Sequence, residues 1–490
     1  MRAGGLASTL ARNVFSDPTA RTPKRTLGLS AGPMTQICDL SAESLLEHFA
    51  RGVVTPLEAL QAVTERIAQQ NPRINAFAVL DPRALDAAGE STRRWRAGRP
   101  LGPLDGVPCT LKDLIDLAGL PTRRGSRTTD PANATDDAPL ALSLKAAGAV
   151  ILGKTTTTEF GWKTPGDCPL HGITRNPRNP AYSTGGSSSG AAAAAAAGFG
   201  ALHVGTDAGG SIRIPAAWCG IVGLKPTFGR LPQWPLGAFS GVAVAGPMTQ
   251  TVRDAALMLS ALARWDPRDP LCLPDTPRDW RDGIEDGVAD MRVAILRRPG
   301  FDAPADPESL AAVADAARIL AQAGATVEEA MPDLPDAGTL FLQLWSTALK
   351  LVVTDTPEAR RPLLERGLRE VAALPEMSAT ELMRAAALQN QTANAMARLH
   401  LRYDLVLCPT VPGPPSLADA PTTDPAGALL RHWAPWTFLF NLTRQPAISV
   451  PLGTGADGLP RSVQIAAAIY RDDLALRAAR VLERAQQETA

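Results

Sequence analysis

No sign of charge dominates this chain. Its 49 basic and 49 acidic residues leave a formal net charge of zero, so no basic face is implied and nucleic acid is a poor partner. No C-x-x-C pair occurs among Cys38, Cys109, Cys168, Cys219, Cys272 and Cys408. That argues against a structural zinc site and a compact disulfide framework, and leaves buried free thiols in a reducing cytoplasm. The histidines His48, His171, His203, His400 and His432 form no H-x-x-x-H pattern, so neither a metal nor any other cofactor is expected. No run approaches the ~20 apolar residues that span a bilayer, and no membrane association is expected. Residues 1–33 are rich in Arg, Thr, Ser and Gly and lack the apolar core of a secretory signal. They are expected to be a disordered extension, or to precede the native start, with the folded protein beginning near Met34.

What the chain does have is size and periodicity. At 490 residues it can hold one large α/β domain or two to three smaller ones. Thr55-Pro56-Leu57-Glu58 is a capping box with proline at the first helical position. Leu60, Val63 and Ile67 follow it at helical spacing. Asp306-Pro307 opens another helix through Leu310, Val313, Ala317 and Leu320, with a stop at Gly324. Residues 291–296 and 404–408 read as buried strands, the second leading into a proline-rich turn from Pro409 to Pro415. Strands alternating with helices predict an α/β sheet covered on both faces.

Seven alanines, 191–197, predict a helix small on every side and therefore central. It follows directly on Gly185-Gly186-Ser187-Ser188-Ser189-Gly190, which sets loop N–H groups and the positive helix end at one spot. A second such stretch, Gly205-Thr206-Asp207-Ala208-Gly209-Gly210-Ser211-Ile212-Arg213, lies downstream. Upstream, Gly106-Val107-Pro108-Cys109-Thr110-Leu111-Lys112-Asp113 ends an apolar, β-like run on a lysine. A hydroxyl nucleophile needs a base, and a developing oxyanion needs backbone donors; these segments could supply both. Flexible linkers would be polar on both flanks, whereas these loops abut the alanines and Ile221-Val222-Gly223-Leu224.

Two further patterns are decoys. Residues 148–155 match a P-loop on paper, but Ala-Val-Ile-Leu between the glycines is a strand, not a phosphate cradle. Gly186-Ser187-Ser188-Ser189-Gly190 matches a nucleophile elbow, yet a two-proline connector, Asn176-Pro177-Arg178-Asn179-Pro180, precedes it in place of a strand. His400 and His432 stay open as bases for such a triad.

Taken together, these residues resemble the amidase signature family, serine hydrolases of C–N bonds. The match continues through Cys219-Gly220-Ile221-Val222-Gly223-Leu224-Lys225-Pro226-Thr227 and a C-terminal pattern at Asn441-Leu442-Thr443, residues 446–451 and Gly458-Leu459-Pro460. It covers the chain from about Leu40 onward and is densest between 100 and 230. The resemblance implies one amidase domain over 34–490, built on a large mixed, twisted β-sheet with helices on both faces. Within it lie a signature core at about 100–230, a variable pocket region at about 230–440, and a C-terminal return to the sheet at 441–490. It further implies a Ser–cisSer–Lys triad of Ser211 as nucleophile, Ser187 and Lys112, with a cis Gly186–Ser187 peptide. The oxyanion would rest on the N–H groups of Ala208, Gly209, Gly210 and Ser211. Gly186, Ser188, Asp207 and Arg213 would support the loops, the last two as an ion pair. The first loop departs from the family pattern at Ser189, usually glycine, and at Ala191.

By the same resemblance the substrate is a small-molecule amide, ester or carbamate, handled by a cytoplasmic monomer or homodimer. Residues 160–162, 167–170, Phe341, Trp345 and the aromatics of 433–440 are candidate pocket walls and lean toward an aryl or apolar group. Trp345 with Leu342 and Leu349 also fits a core stripe. Two alternatives stand beside this reading. One is the A subunit of an aminoacyl-tRNA amidotransferase, which commonly has glutamine where this chain has Ile214. The other is a non-catalytic nucleotide-binding protein using 148–155.

Overall fold

The computed structural model describes residues 34–275 and 277–488; the expected N-terminal extension at 1–33 lies outside them. Among the described residues, thirteen strands follow in chain order: β1 Phe77–Leu80, β2 Pro108–Lys112, β3 Val150–Thr155, β4 Asp167–Cys168, β5 Gly172–Ile173, β6 Leu202–Asp207 and β7 Val222–Lys225. The rest are β8 Val244–Thr249, β9 Arg292–Ile295, β10 Thr326–Glu329, β11 Leu405–Pro409, β12 Ala447–Thr454 and β13 Pro460–Ala467. Eleven form one mixed sheet in the order β1-β3-β2-β6-β8-β7-β12-β13-β11-β9-β10. The predicted α/β class with a single large covered sheet is what is observed.

Why the central strands read as unbroken apolar runs is clear from their partners. Along β11, Leu405 and Leu407 enter one core while Val406 and Cys408 enter the other. Side chains alternate across a strand, so a sheet buried on both faces needs apolar residues at every position. Helices Pro139–Ala146, Val252–Leu262, Pro307–Gln322 and Asp472–Gln487 supply the first core; Ala337–Asp355 and Arg213–Cys219 supply the second. Ala337–Asp355 is long and apolar enough to cross a membrane by composition alone. Its Leu340, Phe341, Trp345 and Leu349 are buried in this core.

Both helices foreseen from their start signals are present. Pro56–Ile74 carries the complete Thr55–Glu58 capping box, a device that stabilises a helix by about 1 kcal/mol. Pro307–Gln322 starts at Asp306, whose side chain accepts from the Ser309 N–H. Val313 and Leu320 are buried as expected, whereas Leu310 is 40% exposed.

The alanine run is a helix, Ser189–Ala197, buried through Ala195. Ala191, Ala192 and Ala195 pack on Ile212, Ala216, Ile221 and Met248, while Ala193 and Ala194 face Val150, Leu152 and Phe199. Only methyl-sized side chains allow contact on opposite sides at once. A Cβ at Gly190 would collide with the Ala76 carbonyl and the Thr156 backbone, so this helix start requires glycine.

The P-loop lookalike is β3, buried along its whole length. Lys154 is fully buried, 2.9 Å from Asp113 Oδ1, and donates to Pro121 O at 2.9 Å and Thr122 Oγ1 at 2.6 Å. Its amine is engaged and no glycine loop surrounds it, which removes the nucleotide-binding alternative.

Candidate active site

Parallel neighbours β2 and β6 bring their C-terminal ends together, with Thr110 opposite His203 and Leu111 opposite Val204. In open α/β sheets this end is where the crevices lie. Lys112 closes β2, and Thr206 and Asp207 close β6. The loop before the alanine helix drops between them, with a cis Gly186–Ser187 peptide, and Ser188 N donates to Ser211 O at 3.1 Å. The lysine strand and the two glycine-serine loops therefore meet.

Lys112 is fully buried. Its Nζ lies 2.7 Å from Ser187 Oγ, 2.9 Å from Thr206 Oγ1 and 3.4 Å from Thr206 O. No carboxylate ion-pairs with it among the described residues. Burial drives its pKa well below the ordinary 10.5, against the opposing charge of Asp207. An uncharged amine here can accept from the Ser187 hydroxyl and donate to Thr206.

Thr206 was not foreseen as a partner, although it stands inside the second glycine-serine motif. Ser188 fixes it: Ser188 Oγ donates to Thr206 O at 3.1 Å and receives the Thr206 N–H at 3.2 Å. Ser189, the departure from the family pattern, is buried and reaches Thr156 O at 3.4 Å. Its bulk is accommodated beside β3.

Asp207 and Arg213 are fully buried and paired at 2.9 Å. Arg213 also donates to Thr437 O at 2.8 Å, Gln464 Oε1 at 2.5 Å and Asn441 Oδ1 at 2.6 Å. Asn441 in turn donates to the Asp207 carbonyl and to its Oδ1, each at 2.9 Å. Burial alone would raise the Asp207 carboxyl, but Arg213, with Lys225 and Asn441, holds it well below the usual carboxylate range. Every fork of this guanidinium is used, so the 207–213 turn is braced by contacts from distant parts of the chain. Thr437 and Gln464 carried no sequence signal; Asn441 stood in a recognised pattern without an assigned role.

The expected backbone donors divide. Gly210 N donates to Asp207 Oδ1 at 2.7 Å, so it is engaged in bracing the turn and not free for an oxyanion. This corrects the expectation for Gly210, one of the four donors named with Ala208, Gly209 and Ser211. The N–H groups of Ala208, Gly209 and Ser211 take no partner among the described residues. Gly210 has φ +130°, and a Cβ there would meet Thr437 Oγ1, so only glycine closes this turn.

Ser187, Ala208 and Ser211 line one cavity of about 540 Å³ with Thr206, Leu114, Phe160 and Gly161. The Ser211 hydroxyl makes no hydrogen bond among the described residues, and it is the least buried of Lys112, Ser187 and Ser211. The segment 232–240, with Trp234, Leu236 and Phe239, and the helix end at Leu351 and Val352 also line it. Of the pocket walls expected from sequence, Phe160 and Gly161 are in place. Trp162, Phe341, Trp345, Trp433, Trp436, Phe438 and Phe440 are core instead, and residues 167–170 do not line this cavity. Phe341 stacks on Phe438 at 4.4 Å, and Trp345 lies behind Phe239 at 4.2 Å. The aromatics thus form a second layer that supports the wall. His400 bonds Gln445 and the Tyr403 carbonyl, away from the cavity, which removes it as a base. His432 does not line the cavity either.

Comparison with known proteins finds relatives over most of the chain, in sequence and in fold. The family model for Amidase fits residues 58–476. An acylamidase of Rhodococcus erythropolis is 36% identical over 449 residues, covering 90% of this chain and 94% of that protein. The A subunit of the glutamyl-tRNA(Gln) amidotransferase of Roseiflexus castenholzii is 33% identical over 471 residues, covering 91% and 95%. Among solved structures, a bacterial aryl acylamidase of the amidase signature family superposes with a TM-score of 0.84 at 28% identity, covering 92% of this chain and 97% of the other.

Proposed function

This chain belongs to the amidase signature family and is an amide-hydrolysing enzyme, and from that premise we propose a mechanism and a substrate class. Ser211 is the nucleophile, Ser187 the relay and Lys112 the base. Neutral Lys112 takes the Ser187 proton as Ser187 takes that of Ser211. The Ser211 Oγ–C bond forms, and the carbonyl oxygen gains charge against the free N–H groups of Ala208, Gly209 and Ser211. The tetrahedral intermediate collapses as the C–N bond breaks, and the relay returns a proton to the departing amine. Water, deprotonated along the same path, then releases the acid from Ser211. The observation that carries this reading is the fully buried Lys112 amine, 2.7 Å from Ser187 Oγ, beside a cavity that Ser211 also lines.

The substrate is an amide with an apolar or aryl portion, matched to Trp234, Leu236, Phe239, Leu351 and Val352. Esters and carbamates present the same carbonyl to the same relay and are expected to turn over as well. The purified protein should release aniline from acetanilide-type substrates with no other protein added, and Ser211→Ala should not. Turnover that requires added amidotransferase partner proteins would favour the tRNA-dependent amidotransferase reading, which the Roseiflexus castenholzii relative keeps in view.

A further inference from the structure

Arg124 stands in the cavity wall with no ion-pair partner among the described residues. Its backbone is pinned on both sides: its N–H donates to Asp113 O at 3.1 Å, and its carbonyl receives the Phe160 N–H at 2.8 Å. Asp113 follows Lys112, and Phe160 lines the cavity beside Gly161. Arg124 is half-buried, and its guanidinium takes no hydrogen bond or ion pair among the described residues. By contrast, the part-buried Arg94, Arg253 and Arg281 are each paired, with Asp105, Glu43 and Asp279.

The nearby carboxylate that could have matched it, Asp113, is held by Lys154 at 2.9 Å. Arg124 faces that lysine as a like charge, disfavouring its ammonium. The other charged group lining the cavity is Asp355, and it is exposed. A planar guanidinium, partly desolvated in the cavity wall and without an ion pair among the described residues, presents paired N–H donors that match the two oxygens of a carboxylate.

We propose that Arg124 is a specificity-determining residue that binds a carboxylate of the substrate, so that amides carrying an anionic group are preferred over their uncharged counterparts. This rests on the amidase reading above and narrows it: an apolar or aryl body, an amide at Ser211, and a carboxylate at the Arg124 end. A matched panel tests it, with N-phenylsuccinamate against butyranilide for the acyl side and 4-acetamidobenzoate against acetanilide for the amine side. In the wild type, kcat/KM for at least one carboxylate substrate should exceed that of its neutral partner by about tenfold or more, the scale of one charge-assisted hydrogen bond. Arg124→Met should bring that ratio close to one, and Arg124→Lys should retain part of it. Wild-type ratios at or below one in both pairs overturn the proposal, as does a ratio that Arg124→Met leaves unchanged. If Arg124→Met does not fold, Arg124→Gln and the wild-type ratio decide. Failure to hydrolyse even the neutral anilides would instead count against the broader substrate reading.

Discussion

Two lysines on neighbouring strands are both fully buried, yet their surroundings differ in one respect. Lys154 on β3 has a carboxylate, Asp113, at 2.9 Å; Lys112 on β2 has only hydroxyls and a carbonyl. A bulge in the β2–β3 pairing sets Lys154 opposite Leu111 and Thr155 opposite Lys112, so the two amines leave the sheet on opposite faces. Burial lowers the pKa of both, but for Lys154 the Asp113 charge and hydrogen bond oppose it. A buried amine with an anion is a structural cation; one without an anion is a base in waiting. Partner chemistry separates them, and burial does not.

The largest expected effect breaks the comparison at the functional end. Ser211→Ala and Lys112→Met should each lower kcat for an anilide by about 10⁴-fold or more, as removal of a triad member does elsewhere. The melting temperature of Lys112→Met should stay level or rise, because an apolar side chain of similar length replaces a desolvated amine. Next comes the structural end. Lys154→Met leaves Asp113 buried and uncompensated and should destabilise the fold by about 3–5 kcal/mol in denaturant titrations, with the double variant Lys154→Met/Asp113→Leu recovering most of it.

A pH series sharpens the contrast. Activity needs the unprotonated Lys112, so kcat/KM should climb with pH along an acidic limb lying well below 10.5. Stability carries the same sign. Between the depressed folded pKa and 10.5 the unfolded chain holds a proton on this residue that the folded chain does not, so stability rises with pH there. That slope should be shallower in Lys112→Met than in the wild type, by one titrating group. The smallest effect belongs to the cavity wall: Phe239→Ala should raise KM for aryl amides several-fold, the scale of about 1–2 kcal/mol of lost apolar contact, with kcat changed less.

Much of this was legible from the residues because it is local. The Thr55 and Asp306 helix starts are chemistry within four residues, and the alanine run and the β11 alternation signal burial directly. Lys112, Ser187 and Ser211 stood out because glycine, serine and lysine sit in an order that one chemistry uses. What the sequence hid is what long-range packing decides. Trp162, Phe341 and Phe438 look the same in a string whether they face a cavity or a core; in the fold Phe341 stacks on Phe438 and Trp162 meets the Trp433 ring edge-on. Thr437 and Gln464 reach Arg213 across more than two hundred residues of chain, a contact no local pattern announces. Gly210 shows the same limit at short range: whether its N–H faces a substrate or Asp207 is settled by the turn geometry, not by the residue type.

The central claim, that the Lys112 amine is uncharged under working conditions, is open to direct measurement. Selective ¹⁵Nζ labelling of lysine, with Lys112→Met to assign the resonance, would follow the protonation of this one amine through a pH titration. The account predicts a neutral-amine signal that persists well below pH 10.5. A Lys112 resonance that remains an ammonium up to that pH would contradict it.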